Sequence, residues 1–181
     1  MSSQINNAAQ INGPAERIVF TGFMGVGKST VARHVGFMLK TRRIDLDRFI
    51  EESEKRSIAE IIEQQSEAVF REIESRALAT ALDSDEAKII SLGGGAWTFE
   101  RNRKMIREKK CLTIWLNAPF EHCWRNIQRS KNKRPLLRTK ENARQLYEDR
   151  QKVYCLADWH FVIHPDQSSL DVARQIVEEI F

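Results

Sequence analysis

The chain has 181 residues, 41% of them hydrophobic and 30% charged, with a formal net charge of +4. That length suits one domain with a sizeable core. No apolar stretch approaches the ~20 residues of a membrane span, so a membrane-spanning helix is not expected.

Residues 1–15 are polar and rich in Asn, Gln and Ser, without the basic-then-apolar layout of a signal peptide. They are expected to be a disordered tail on a cytoplasmic protein, with 16–181 as a single domain. A strand is predicted at 17–21, through Ile18-Val19-Phe20. Directly after it, Gly22-Phe23-Met24-Gly25-Val26-Gly27-Lys28-Ser29-Thr30 forms a complete G-x-x-x-x-G-K-[ST] phosphate-binding loop, set between a strand and a helix. Glycine lets the backbone wrap around an anion with its N–H groups pointing inward. Lys28 supplies a point charge for the β- and γ-phosphates, and the Ser29 hydroxyl is placed to ligate Mg²⁺. Contacts to ATP are expected from Gly25, Val26, Gly27, Lys28, Ser29 and Thr30.

The loop helix covers 28–40, with Val31, Val35, Met38 and Leu39 on one side. A short strand at 43–46 follows, and Ser57 with Glu60 makes a capping box for a short helix. A longer helix at 66–82 turns Phe70, Ile73, Ala77 and Ala81 inward. A third strand, 88–92, ends in Gly93-Gly94-Gly95. Basic residues at 101–110 form a solvated helix face, and 111–116 is a strand apolar throughout, as for one buried on both faces. A helix runs from 117–119 to 129, and the basic segment 130–140 interrupts the pattern. A helix through Leu146 and Tyr147 to Tyr154, a strand at 160–164 and a helix from Ser169 complete the chain. Such alternation implies one α/β domain with a parallel sheet covered on both faces. Cys111, Cys123 and Cys155, odd in number and widely spaced, read as reduced packing residues. Clustered Lys and Arg could contact nucleic acid, but no aromatic-interleaved signature accompanies them, so none is expected. The histidines show no ligand spacing and receive no role.

Three classes share the loop. A GTPase would carry N-K-x-D after a strand, and the only Asn-Lys, Asn132-Lys133, runs into Arg134-Pro135. A motor would end an apolar strand in an acid, where this chain has three glycines. A small-molecule kinase needs an acid near the acceptor hydroxyl, a substrate pocket and a cover over ATP. Asp45 and Asp47 emerge at the carboxyl edge of the sheet, where such folds bind ligands. One can hold Mg²⁺-bound water and the other can orient or deprotonate a hydroxyl; a solvated turn or a helix N-cap is the plainer reading of the pair. Arg71 and Glu74 share a helix face; exposed, they are an ordinary ion pair, whereas a buried Arg held by Glu would present its fork to a carboxylate. Gly93-Gly94-Gly95 allows close backbone approach by a ligand.

These residues, taken in order, resemble the shikimate kinase family: the loop, then Asp45-x-Asp47, Phe70-Arg71-x-x-Glu74, Gly93-Gly94-Gly95, Arg134-Pro135-Leu136-Leu137, and Arg150 before Tyr154 and Ala157-Asp158. The resemblance runs from about Arg17 to the C-terminus. It implies a three-layer P-loop kinase fold of the nucleoside-monophosphate-kinase style, with a five-stranded parallel sheet, a substrate region at 44–82 and a lid at 130–140. The implied reaction transfers the γ-phosphate of ATP to the 3-hydroxyl of shikimate, on the route to chorismate and aromatic amino acids. By position it makes Lys28, Asp47 and Arg134 catalytic. Asp45 supports Mg²⁺ through water beside Ser29, and Asp47 contacts the accepting hydroxyl. Arg71 and Arg150 grip the carboxylate, aided by Glu74 and the Gly94 and Gly95 backbone, while Arg134 reaches the phosphates from the lid. The expected partners are ATP and shikimate alone, with no nucleic acid or membrane, and the expected state is a monomer. A related kinase for gluconate or aminoshikimate, or a non-catalytic nucleotide-binding module, is the alternative. Trp97 stands where the family has a smaller apolar residue, and Arg125 and Arg129 both qualify to stack on adenine.

Overall fold

A computed structural model of the chain describes residues 17–130 and 139–181. The strands are β1 (Ile18–Thr21), β2 (Arg43–Asp45), β3 (Ile89–Ser91), β4 (Leu112–Asn117) and β5 (Trp159–Val162). They form one parallel sheet in the order β2-β3-β1-β4-β5. Around it lie α1 (Lys28–Met38), α2 (Leu46–Glu54), α3 (Ile58–Gln64), α4 (Glu67–Asp83), α5 (Glu100–Glu108), α6 (Phe120–Arg129), α7 (Lys140–Tyr154) and α8 (Ser169–Ile180), with a 3-10 turn at Ala96–Thr98.

The apolar runs explain the order. β1 and β3 are buried along their whole length and β4 at all but its last residue, as a strand needs when helices cover both faces. β2 and β5 carry exposed positions and lie at the edges. α1 packs on α8, while α2 and α3 pack on α4. From β1 the chain builds outward to one side for β2 and β3, then crosses to the other for β4 and β5. Ligands settle in the crevice such a reversal leaves at the carboxyl ends of the strands.

Two buried polar contacts tie distant segments together. The Arg17 guanidinium donates to the carbonyls of Leu82, Ser84 and Ala87, closing the otherwise unpartnered end of α4. Asp158 Oδ2 accepts from the Thr113 amide at 2.8 Å and from its hydroxyl at 2.6 Å, joining the entries of β4 and β5. Asp158 is therefore a structural staple.

The structure departs from the sequence reading in places. β2 stops at Asp45, whose extended backbone and carboxylate cap α2 by accepting from Arg48 N at 3.3 Å. The sequence reading had no helix there, because only Leu46 and Ile50 on it are buried and the apolar period is too thin to see. Burial pushes the Cys111 and Cys123 thiols up to about 11, which keeps them protonated and inert. Cys155 is exposed and is not a packing residue. The lid segment falls largely on residues 131–138, outside the described residues, as do Arg134 and the tail.

Ser66 caps α4 with φ 140 and ψ 165, a conformation nearly confined to glycine, while its hydroxyl accepts from Val69 N at 3.3 Å. Such a backbone stores about 1–3 kcal/mol. Changing a serine cap to glycine costs only a few tenths of a kcal/mol, and the extra freedom of the unfolded chain up to about 1 kcal/mol. Ser66→Gly is therefore expected to be neutral to stabilising, by up to about 2 kcal/mol in urea unfolding. A clearly lower midpoint at unchanged slope would contradict the strain.

Candidate active site

The phosphate loop leaves the centre of the sheet and turns into α1 through left-handed glycines, Gly25 at φ 79 and Gly27 at φ 101. A side chain on Gly25 would run into the Cys123 carbonyl of α6, so the loop packs backbone to backbone there. Asn126 Nδ2 donates to the Gly25 carbonyl at 2.8 Å and holds it. Lys28 Nζ curls over the loop, donating to the carbonyls of Gly22 at 2.8 Å and Phe23 at 3.1 Å. The loop borders a cavity of about 520 Å³, with Gly25, Val26, Gly27, Lys28, Ser29 and Thr30 all on its wall. Ser29 is exposed on that wall.

Both acids of the Asp45-x-Asp47 motif line the same cavity. The plainer reading of Asp45 as a helix cap is also true, so it serves two ends. A hydroxyl and carboxylate oxygens on one wall are the hard donors that suit Mg²⁺. Gly94 lies on this wall too, and behind it the remaining charges converge.

Arg71 and Glu74 are buried, with side-chain exposures of 9% and 1%, and pair at 2.9 Å. The other fork nitrogen of Arg71 reaches Glu67, also at 2.9 Å and one turn earlier on α4. A Cβ on Gly95 would lie 2.6–2.8 Å from the Arg71 guanidinium, and one on Gly93 would strike the Asp47 carboxylate. Arg150 Nη1 donates to the Gly94 carbonyl at 3.1 Å, and the Tyr154 hydroxyl donates to the same oxygen. Asp47, Arg71, Glu74 and Arg150, far apart in sequence, thus meet at three glycines.

Burial sets the electrostatics. It pushes the Glu74 carboxyl up from the ordinary Glu value; Arg71 pulls it back and Asp47 adds to the rise. Burial also opposes the Arg71 charge, but Glu74 and Glu67 overcome it and hold the guanidinium charged. Among the described residues Glu74 Oε1 is buried without a hydrogen-bond partner, which leaves it able to accept from a further donor. Burial drives the Tyr154 phenol upward, so it stays a donor to Gly94.

The sequence reading missed several groups. α6 turns His122, Asn126 and Ser130 to the cavity at helical spacing, while Arg125 and Arg129 are exposed to solvent. Gln167 and Ser169 line it from the far side. Burial and neighbouring Arg125 lower the His122 pKa, leaving a neutral imidazole at pH 7. Trp97 Nε1 donates to the Val153 carbonyl at 3.0 Å, fastening the glycine turn to α7. The described residues bring together Lys28, Ser29, Asp45, Asp47, Arg71, Glu74, Gly94, Gly95 and Arg150; Arg134 lies outside them.

The fit at Gly95 gives a direct test. Gly95→Ala must displace a buried guanidinium held by two carboxylates, an overpacking expected to cost about 1–3 kcal/mol in chemical denaturation. An alanine variant as stable as the parent would mean that the guanidinium moves freely and the slot is loose.

Known proteins of similar sequence and fold place the chain in a family. A sequence model described as Shikimate kinase matches residues 24–181. A shikimate kinase of Ruegeria pomeroyi is 37% identical over 182 residues, covering 97% of this chain and 90% of its own. One from Cereibacter sphaeroides is 41% identical over 144 residues, covering 78% and 71%. A solved shikimate kinase from Acinetobacter baumannii, in complex with shikimate, superposes with a TM-score of 0.83 at 30% identity, over 92% of this chain and 93% of that one. A phosphate loop on a five-stranded parallel sheet suits such relatives, and the chain belongs to the shikimate kinase family.

Proposed function

We propose that the protein transfers the γ-phosphate of ATP to the 3-hydroxyl of shikimate, giving shikimate 3-phosphate and ADP. The observation that carries this reading is the meeting of Arg71, Glu74 and Arg150 at the Gly93–Gly95 backbone, beside the phosphate-loop cavity. Two guanidinium groups in a largely dry site suit a substrate that is both a carboxylic acid and a polyol. The resemblance of residues 24–181 to shikimate kinases, and a fold shared with one in complex with shikimate, support the same acid.

In this reading Lys28 and the amide-lined loop hold the phosphates, and the N-terminus of α1 adds its positive end. Ser29 and Asp45 would hold Mg²⁺, Asp45 through water, and the ion would supply positive charge to offset that of the ATP phosphates. Asp47 orients the accepting hydroxyl and takes its proton. Arg71 and Arg150 grip the carboxylate, and Glu74 fixes Arg71 and offers Oε1 to a substrate hydroxyl. Arg134, known from the sequence alone, brings positive charge to the transferring group. Most of the rate then comes from placement and electrostatics. We further read 16–181 as one kinase domain with its substrate region at 44–82 and lid at 130–140, acting as a cytoplasmic monomer. Among the described residues no helix is long and apolar enough to cross a membrane.

A coupled ADP-release assay across shikimate, quinate and gluconate tests the proposal. Shikimate is expected to support Mg²⁺-dependent turnover far above the others; equal rates with gluconate, or none with shikimate, would overturn it. In the same assay Lys28→Met is expected to lose several orders of magnitude in kcat while keeping its fold. Asp47→Asn should lower kcat more than ATP affinity. Arg71→Ala should weaken shikimate binding by about 2–5 kcal/mol, the cost of leaving a buried charge unpaired. Exchanged signatures for Asp47 and Arg71 would mean that their roles are reversed.

A further inference from the structure

Helix α5 begins on Phe99, whose side chain accepts nothing from the helix's first turn. Polar residues are favoured at that position because they satisfy the free N–H groups. α2, α3, α4, α7 and α8 each begin on such a side chain: Asp45, Ser57, Ser66, Thr139 and Ser168. Phe99 also leaves 37% of its surface exposed, so burial does not account for it. A residue poor by both criteria calls for another explanation.

Its surroundings supply one. The Arg71 Cζ lies 5.5 Å from the centre of the Phe99 ring and 5.0 Å from that of Phe70. Gly95 leaves room against the same guanidinium, and Glu74 and Glu67 bond its nitrogens. Arg101 in turn donates to Glu72 at 2.6 Å and to the Arg71 carbonyl at 3.0 Å, and its Cζ stands 5.9 Å from the Phe99 ring. Arg71 Nε has no hydrogen-bond partner among the described residues. The carboxylates thus set the ends of the fork, while aromatic faces and a glycine limit its tilt.

We infer that Phe99 is a positioning residue for substrate binding: its ring stacks on Arg71 and fixes the plane in which the guanidinium meets the substrate carboxylate. This rests on the reading that Arg71 grips the acid. Phe99 touches no reacting group and acts only through Arg71. A cation held against an aromatic face in a partly dry site gains enough to matter for affinity.

The test uses the whole chain and three variants. Phe99→Ser provides a good N-cap, so α5 should be no less stable and the melting temperature unchanged or higher. Its KM for shikimate should nonetheless rise about three- to tenfold, the scale of a partly desolvated cation–π contact, with kcat and the KM for ATP within about twofold of the parent. Phe99→Leu keeps apolar bulk without the π-face and should behave as the serine variant does; Phe99→Tyr should restore the parent value. Parental KM for shikimate in the leucine variant overturns the inference, whatever becomes of the serine variant. Equal loss in KM for ATP also overturns it, because the ring would then be a general support. Failure of the parent chain to turn over shikimate would instead strike the functional reading, before any variant is compared.

Discussion

Three consecutive glycines just after β3 lie tightly against groups from four other segments. A Cβ at Gly93 would strike the Asp47 carboxylate, one at Gly94 would lie 3.1 Å from the Met24 amide nitrogen, and one at Gly95 would press into the Arg71 guanidinium. The Gly94 carbonyl meanwhile receives Arg150 and Tyr154 from α7. The phosphate loop, α2, α4 and α7 are thereby referred to one short stretch of chain. This backbone lies between the phosphate loop, at Met24, and the buried arginines, at Arg71 and Arg150.

The charges depend on that enclosure. Glu74, with its side chain 1% exposed, is tolerable as a carboxylate only beside Arg71, and burial raises its pKa even so. Removing Arg71 leaves the Glu74 charge buried and uncompensated, at roughly 3–5 kcal/mol. The pair is therefore weak evidence of stability and stronger evidence of a function that needs a guanidinium held still. Glu67, with 44% of its side chain exposed, completes the grip from the solvent side. The central sheet supplies the rigidity: its three inner strands end beside the glycine turn and the phosphate loop.

Much of this was legible in the sequence. The phosphate loop, the parallel sheet and the Arg71–Glu74 pairing follow from local spacing, which the chain carries in short windows. Burial of that pair does not follow from i, i+3 spacing, and only the packing around Gly95 separates it from a surface ion pair. α2 escaped notice because its apolar face is two residues wide. His122 and Asn126 stand at i, i+4 on α6, a signal that was present, yet nothing local says which side of α6 meets the loop. The roles of Trp97 and Phe99 rest on contacts to Val153 and Arg71, across 56 and 28 positions of chain, which no local pattern encodes. Sequence alone leaves the choice between Arg125 and Arg129 open for the same reason, since orientation of a helix about its axis is a tertiary property.

The central claim is that the glycine turn presents Arg71 and Arg150 to an acid whose hydroxyl lies at Asp47. The most direct measurement is a crystal structure of the protein with shikimate, Mg²⁺ and ADP. The account predicts the shikimate carboxylate bonded to both guanidinium groups beside Gly94 and Gly95, with the 3-hydroxyl within hydrogen-bond distance of the Asp47 carboxylate. Shikimate bound with its carboxylate away from Arg71 and Arg150, or with another hydroxyl turned to Asp47, would contradict it.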